Sequence, residues 1–244
     1  MVNHVLKLLR VLCNFGTYNG LCPGLSFKIK MPAVDNVKTE DLTPEQIDRL
    51  LKSIDTHDHP QAGVMMKLAL FTGMRRGEMF KLKWEHIDFQ RGFILIKDPK
   101  GGPDQKIPLN DAARKLFEKH RVAAEHQQLR NKPPKWAFSE FVFPGRGGEQ
   151  RTRIDKAVNK IKTAAKLPKD FRPLHGLRHV YASMLASSGQ VDLYTLQKLL
   201  THKDPKMTQR YAHLRDDALK KAANLAGDII SKAVNSNKKN ESTK

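Results

Sequence analysis

Leu174-His175-Gly176-Leu177-Arg178-His179 is followed by Leu199-Leu200-Thr201-His202-Lys203-Asp204-Pro205 and then by Thr208-Gln209-Arg210-Tyr211-Ala212-His213. Histidines, arginines and a tyrosine crowd into this one region. The residues between them, Leu177 to Ser187 and Leu193 to Leu200, repeat apolar side chains at helical spacing. The polar groups therefore ride on helices and on the turns that join them.

Reading upstream, Val64 to Phe71 is an apolar helical run that stops at Gly73. Thr72-Gly73-Met74-Arg75-Arg76-Gly77-Glu78 follows, and Met79, Phe80, Leu82 and Trp84 suggest another short helix, so the turn presents Arg75. Phe93 to Ile96 and Lys106 to Leu109 read as strands around the turn Asp98-Pro99-Lys100-Gly101-Gly102-Pro103. This predicts an antiparallel hairpin with Lys100 at its tip or shoulder. Thr43-Pro44-Glu45-Gln46 is a capping box with proline at the first helical position, opening a helix that carries Ile47, Leu50, Leu51 and Ile54 on one face. Leu116 to Ala124, Ile154 to Ala165 and Ala218 to Ala233 also carry helical spacing, and Phe141 to Phe143 reads as a short strand. The fold class is mainly α with a small antiparallel β-sheet, an α+β domain.

Ahead of this domain, Val5, Leu6, Leu9 and Leu12 lie at helical spacing before the turn chemistry of Asn19-Gly20 and Pro23-Gly24. The stretch to Glu40 has no apolar period and suits a linker. The expected divisions are residues 1–30, a helical segment of something larger; 31–40, a linker; 41–234, the main domain; and 235–244, a polar disordered tail.

Composition narrows the partner. Within 244 residues the formal net charge is +19, which favours a polyanion held through phosphate contacts and counterion release. Cys13 and Cys22 are the only cysteines and form no C-x-x-C pair, which fits a reducing, cytoplasmic setting. No apolar run is long enough for a membrane span, and no secretion signal is evident.

The ordered motifs resemble the tyrosine recombinases, the phage-type integrase family, over about the stretch from Asp41 to Ala233. Each piece alone is common; their order and spacing together are specific, with Tyr211 nine residues after His202. The resemblance implies the tyrosine-recombinase catalytic fold, with Arg75 as first catalytic arginine, His175 and Arg178 as the His-x-x-Arg pair, His202 as the following histidine and Tyr211 as nucleophile. Lys100 best matches the family's hairpin lysine, with Lys97 and Lys106 as competitors. It further implies that residues 1–30 are the end of an N-terminal core-DNA-binding domain. Double-stranded DNA would be the partner, with a homotetramer on paired sites and a monomer alone. Leu219 to Val234 would be a helix passed to a neighbouring subunit.

The chemistry explains the residue types. A phenol with a pKa of about 10 is a poor nucleophile at neutral pH, so attack on a phosphodiester needs proton removal and charge stabilisation. Arg75 and Arg178 can each pair with non-bridging oxygens and remain ionised. Lys100 is the candidate general acid for the departing 5′ oxygen, and His175 a candidate acceptor of the tyrosine proton. His202 would help place and polarise the phosphate. No metal, ATP or other cofactor is expected: the arginines supply the electrostatics, and a 3′-phosphotyrosyl bond stores the energy for rejoining. The expected function is site-specific recombination that integrates or excises a phage or other mobile element. A type IB topoisomerase, an inactive DNA-binding protein of the same fold and a metal-dependent nuclease are the alternatives, the last lacking clustered carboxylates.

Tyr18, Tyr181 and Tyr194 lack the flanking pattern and read as structural, and His179 as a buried structural histidine. His57 and His59 read as solvated. Arg151 and Arg153 are candidate phosphate contacts. Because the DNA-gripping domain is represented only by its last segment, this chain alone is expected to bind its site weakly. A gel-shift titration in rising salt checks this: affinity should fall steeply, and tight, salt-resistant binding would contradict it.

Overall fold

A computed structural model describes residues 2–32, 40–99, 102–130, 132, 134–215, 219–220 and 223–229. Backbone packing separates Met1–Lys38 from Thr39–Lys244. The first unit is built on α1 (Val2–Tyr18), which runs past Leu12 and ends in a turn at Gly20, where φ is +68°. Val5, Leu8, Leu9, Leu12 and Phe15 all remain exposed on it.

The second unit begins with α2 (Pro44–Asp55), started as the capping box predicts. The Gln46 N–H donates to Thr43 Oγ1 at 3.3 Å, and the Thr43 N–H donates to Gln46 Oε1 at 2.9 Å. Its inner face buries Leu50 and Ile54. The central element is α3 (Ala62–Thr72), apolar almost all round, with Met65, Met66, Leu68 and Ala69 buried. It packs on α2, α5 (Asp111–Gln128), α6 (Asp155–Ala164) and, most extensively, α7 (Pro173–Ser187). His59 is not a solvated side chain. Its Nδ1 accepts the backbone N–H groups of Gln61 and Ala62 at 3.3 and 3.2 Å, donors that the start of α3 would otherwise leave unpaired.

The sheet is antiparallel, in the order β1 (Ile87–Asp88), β2 (Phe93–Ile96), β3 (Gln105–Pro108). Ile94 pairs with Ile87 and Ile107, so one face enters the core while Phe93 faces out. The strand expected at Phe141–Phe143 reduces to a single bridge between Lys83 and Phe141. Packing overrides the ladder there: the Phe143 ring stacks on His120 at 5.2 Å, and His120 Nε2 donates to the Val142 carbonyl at 2.9 Å. Arg151 is not free for phosphate either. Its guanidinium donates to Gln61 Oε1 and to the carbonyls of Phe143, Pro144 and Arg153.

Past α7 come α8 (Leu193–Leu199) and the one-turn α9 (Lys206–Gln209), which the sequence pattern did not disclose. Residues 219–220 and 223–229 are helical, with Leu219, Leu225 and Ile229 exposed. The helix α7 serves both apolar clusters of the unit: Leu177 and Val180 enter the main core, while Ala182 and Ala186 pack with Leu196, Leu200 and Tyr211. Between these clusters α3 ends at Gly73, with φ +66° and its N–H donating to the Ala69 carbonyl. A Cβ there would come within 2.6 Å of Tyr181 Cδ1 and 3.1 Å of Leu200 Cδ2. Gly73→Ala is therefore expected to destabilise the protein by about 2 kcal/mol or more, the left-handed penalty plus the clash, read as a lower urea midpoint. An unchanged midpoint would refute this.

Candidate active site

The turn after Gly73 leads into α4 (Arg76–Lys81), with Arg75 as its cap residue. Glu78, buried on the first turn, gathers the neighbouring donors. Its Oε2 accepts the Arg75 backbone N–H at 2.7 Å, and its Oε1 accepts the Arg75 guanidinium at 2.7 Å and the Thr201 hydroxyl at 3.2 Å. Arg75 also donates to Thr201 Oγ1 at 2.6 Å. A surface arginine paired along its own helix would be mostly solvated; this side chain is 16% exposed and reaches across the fold. Thr201 itself, a β-branched residue, adopts the left-handed region at φ +50°.

Arg178 projects from α7 and is 5% exposed. It donates to the carbonyls of Gly73 and Leu200, and the Glu78 carboxylate lies 4.0 Å away. Burial, and then the Arg75 charge, push its pKa down to about 10, which leaves it cationic at neutral pH. Gly73 thus does two things: its left-handed turn releases the chain from α3, and its carbonyl receives this guanidinium.

His202 follows α8. Its backbone is clamped by Gln197, whose carbonyl accepts the His202 N–H at 3.1 Å and whose side-chain amide donates to the His202 carbonyl at 3.0 Å. The ring Nδ1 stands 2.9 Å from Thr208 Oγ1, which leaves Nε2 for another partner. Burial and the charges of Arg178 and Arg75 lower its pKa to about 3.

Tyr211 is 2% exposed, seated among Ala182, Ala186, Leu196 and Leu200. Burial raises its pKa, against the opposing pull of Arg210 and Arg178. The hydroxyl stands 2.6 Å from Nδ1 of His179, and Nε2 of His179 stands 3.1 Å from Nε2 of His175. The two histidines share one face of α7 at the i, i+4 spacing. Burial is the main cause that lowers the pKa of each to about 4, so both rings are neutral at physiological pH. The sequence reading placed His179 correctly in the interior but missed its partner, which is the tyrosine.

Of the predicted site residues, Arg75, His175, Arg178, His202 and Tyr211 come together. Lys100 lies outside the described residues. Lys97 holds Asp104 at 2.8 Å on the shoulder of the hairpin. The end of the Lys203 side chain lies against Gly102, which brings the segment after His202 onto that hairpin. Glu78, Thr201, Thr208 and His179 carry parts that the sequence reading did not assign. Only the spacing of Glu78 from Arg75 and of His179 from His175 signalled any of them. Among the described residues no group of three or more histidine, cysteine or carboxylate side chains is arranged to hold a metal ion, and no helix is long and apolar enough to cross a membrane.

The model of the phage integrase family matches residues 40–218. The tyrosine recombinase XerD of Shewanella oneidensis is 29% identical over 191 residues, covering 77% of this chain and 61% of that protein. Thus the chain spans about three-fifths of the length of that relative. Among solved structures, the XerH site-specific recombinase bound to palindromic difH substrate, a post-cleavage complex, aligns with a TM-score of 0.61 at 25% identity over 78% of this chain and 54% of that one. The Tn1549 transposon integrase in complex with transposon right end DNA shares the fold, with a TM-score of 0.71 at 18% identity over 93% and 79% of the two chains.

The neutral histidines make stability depend on pH. His175, His179 and His202 all have folded pKa values below their ordinary 6.5, so the unfolded chain binds protons that the folded chain refuses. Stability is then full above about 6.5 and falls as pH drops toward about 4 and about 3. Urea midpoints should decrease from pH 7.5 to pH 5, and less steeply in His202→Asn; equal slopes would contradict the assignment for His202.

Proposed function

The chain belongs to the phage integrase family, and on that footing we propose that it is a site-specific DNA recombinase that cuts and rejoins strands through a bond from Tyr211 to a backbone phosphate. The observation that most supports this is the gathering of Arg75, Arg178, His202 and Tyr211 from distant parts of the sequence, with the phenol already hydrogen-bonded to a neutral ring. The net charge of +19 suits a DNA partner, as do the DNA complexes of XerH and the Tn1549 integrase.

In this reading the Tyr211 oxygen attacks the phosphorus, the P–O5′ bond breaks and a 3′-phosphotyrosyl intermediate forms. Arg75 and Arg178 donate to the non-bridging oxygens, where charge builds in the transition state. Their alignment is set before DNA arrives by Glu78, Thr201 and the Gly73 and Leu200 carbonyls. The neutral His202 offers its Nε2 to the phosphate, its ring held by Thr208. Lys100 protonates the departing oxygen. The 5′ hydroxyl so freed, or that of a partner strand, attacks the phosphotyrosine to reseal DNA. Four chains act on two paired sites, the segment around Leu219 to Ile229 linking neighbours, to integrate or excise a mobile element.

Incubated in chelator with nicked DNA that spans the attachment region, then denatured, the protein is expected to carry covalent DNA. Tyr211→Phe should carry none, and Arg178→Lys should form the adduct roughly 10²–10³ times more slowly, the cost of losing one preorganised donor set. Absence of an adduct from the unaltered protein, with DNA binding confirmed, would overturn the proposal.

A further inference from the structure

The geometry points to His179 as the direct acceptor of the Tyr211 proton, with His175 receiving it next, so that the base is a pair of rings in series. This rests on the strand-transfer reading above. The phenol O–H is placed to donate across its 2.6 Å contact to Nδ1 of His179, the direction that abstraction of its proton requires. A neutral ring carries one N–H, which must then sit on Nε2 and donate to Nε2 of His175 across 3.1 Å. The His175 proton is in turn on Nδ1. The reverse tautomers would also fill both contacts, with His179 donating to the phenol oxygen, but only the Nε2–H form of His179 leaves Nδ1 free to take the proton.

Burial adds a second argument. His179 is 3% exposed and cannot pass a proton to water, whereas His175, one turn earlier on α7, is exposed. A proton taken from Tyr211 leaves the interior through His175. Both rings are unprotonated at neutral pH, as acceptors must be. Arg172, Arg178, Arg210 and Glu40 are the charged groups that act on the pair.

The step balances as follows. As the Tyr211 oxygen bonds to phosphorus, its proton moves to Nδ1 of His179 and the Nε2 proton of His179 moves to Nε2 of His175. The P–O5′ electrons go to the departing oxygen, which takes its proton from the general acid. His175 is left cationic beside the phosphate, and rejoining runs the same transfers backward.

The test uses the full chain and the nicked substrate in single turnover, with DNA binding checked by gel shift. In His179→Asn the amide oxygen can still accept the phenol hydrogen bond but cannot relay a proton. Its adduct should form about 10²–10⁴ times more slowly at pH 7, with a rate that climbs with hydroxide where the unaltered protein is flat. Replacing Tyr211 by a fluorinated tyrosine of lower pKa should restore much of the loss. A His179→Asn rate near that of the unaltered protein, or a slow rate with a flat pH profile and no response to fluorination, would reduce His179 to a packing residue and overturn the inference. A DNA-free measurement covers the case of a misfolded variant: ¹⁵N NMR of the unaltered protein should find His179 in the Nε2–H form, and the Nδ1–H form would refute it. Failure of the unaltered protein to form any adduct, with the Nε2–H form present, would instead strike the strand-transfer reading itself.

Discussion

A guanidinium taken out of water must find acceptors for its N–H groups, or the region around it opens to let water in. Arg178 is in that position, and its demand organises the second unit. One acceptor is the Gly73 carbonyl at the end of α3, another is the Leu200 carbonyl at the end of α8, and a carboxylate, Glu78, stands nearby on α4. Charge-assisted bonds of this kind are stronger and more directional than neutral ones. Satisfying them ties the ends of three helices to the side of α7, and so fixes where Arg75, His202 and Tyr211 arrive.

The resulting site has more donors than acceptors. Arg75 and Arg178 are cationic, while the surrounding histidines are neutral because burial and the arginine charges oppose their protonation. Glu78 is spent on holding Arg75 and Thr201 in place. An arrangement of this kind favours an incoming anion with several oxygens, and a neutral ring beside it can accept a proton that a cationic ring could not.

Local signals in the sequence read true where the structure is local. The capping box at Thr43–Gln46, the stop at Gly73 and the hairpin strands each depend on neighbours a few residues away. The family motifs named Arg75, Arg178, His202 and Tyr211 by their order. What stayed hidden depends on distance: Arg75 meets Thr201 across 126 positions and His179 meets Tyr211 across 32. β1 is only two residues long, too short for an alternating pattern. At Phe141–Phe143 the apolar run looked like a strand, yet aromatic packing on His120 decided its conformation. His59 looked solvated because a histidine serving as a helix cap has no sequence signature as plain as that of threonine or aspartate.

Thr201 shows how such a site constrains its own evolution. Glycine would relax the left-handed backbone at this position, but it would remove the hydroxyl that receives Arg75 and donates to Glu78. Conformational ease and guanidinium alignment pull in opposite directions at a single codon. Selection for heat resistance alone would drive the position toward glycine, whereas selection that also reads phosphate chemistry would hold threonine there, or reach glycine only after a second change had supplied Arg75 with a new anchor.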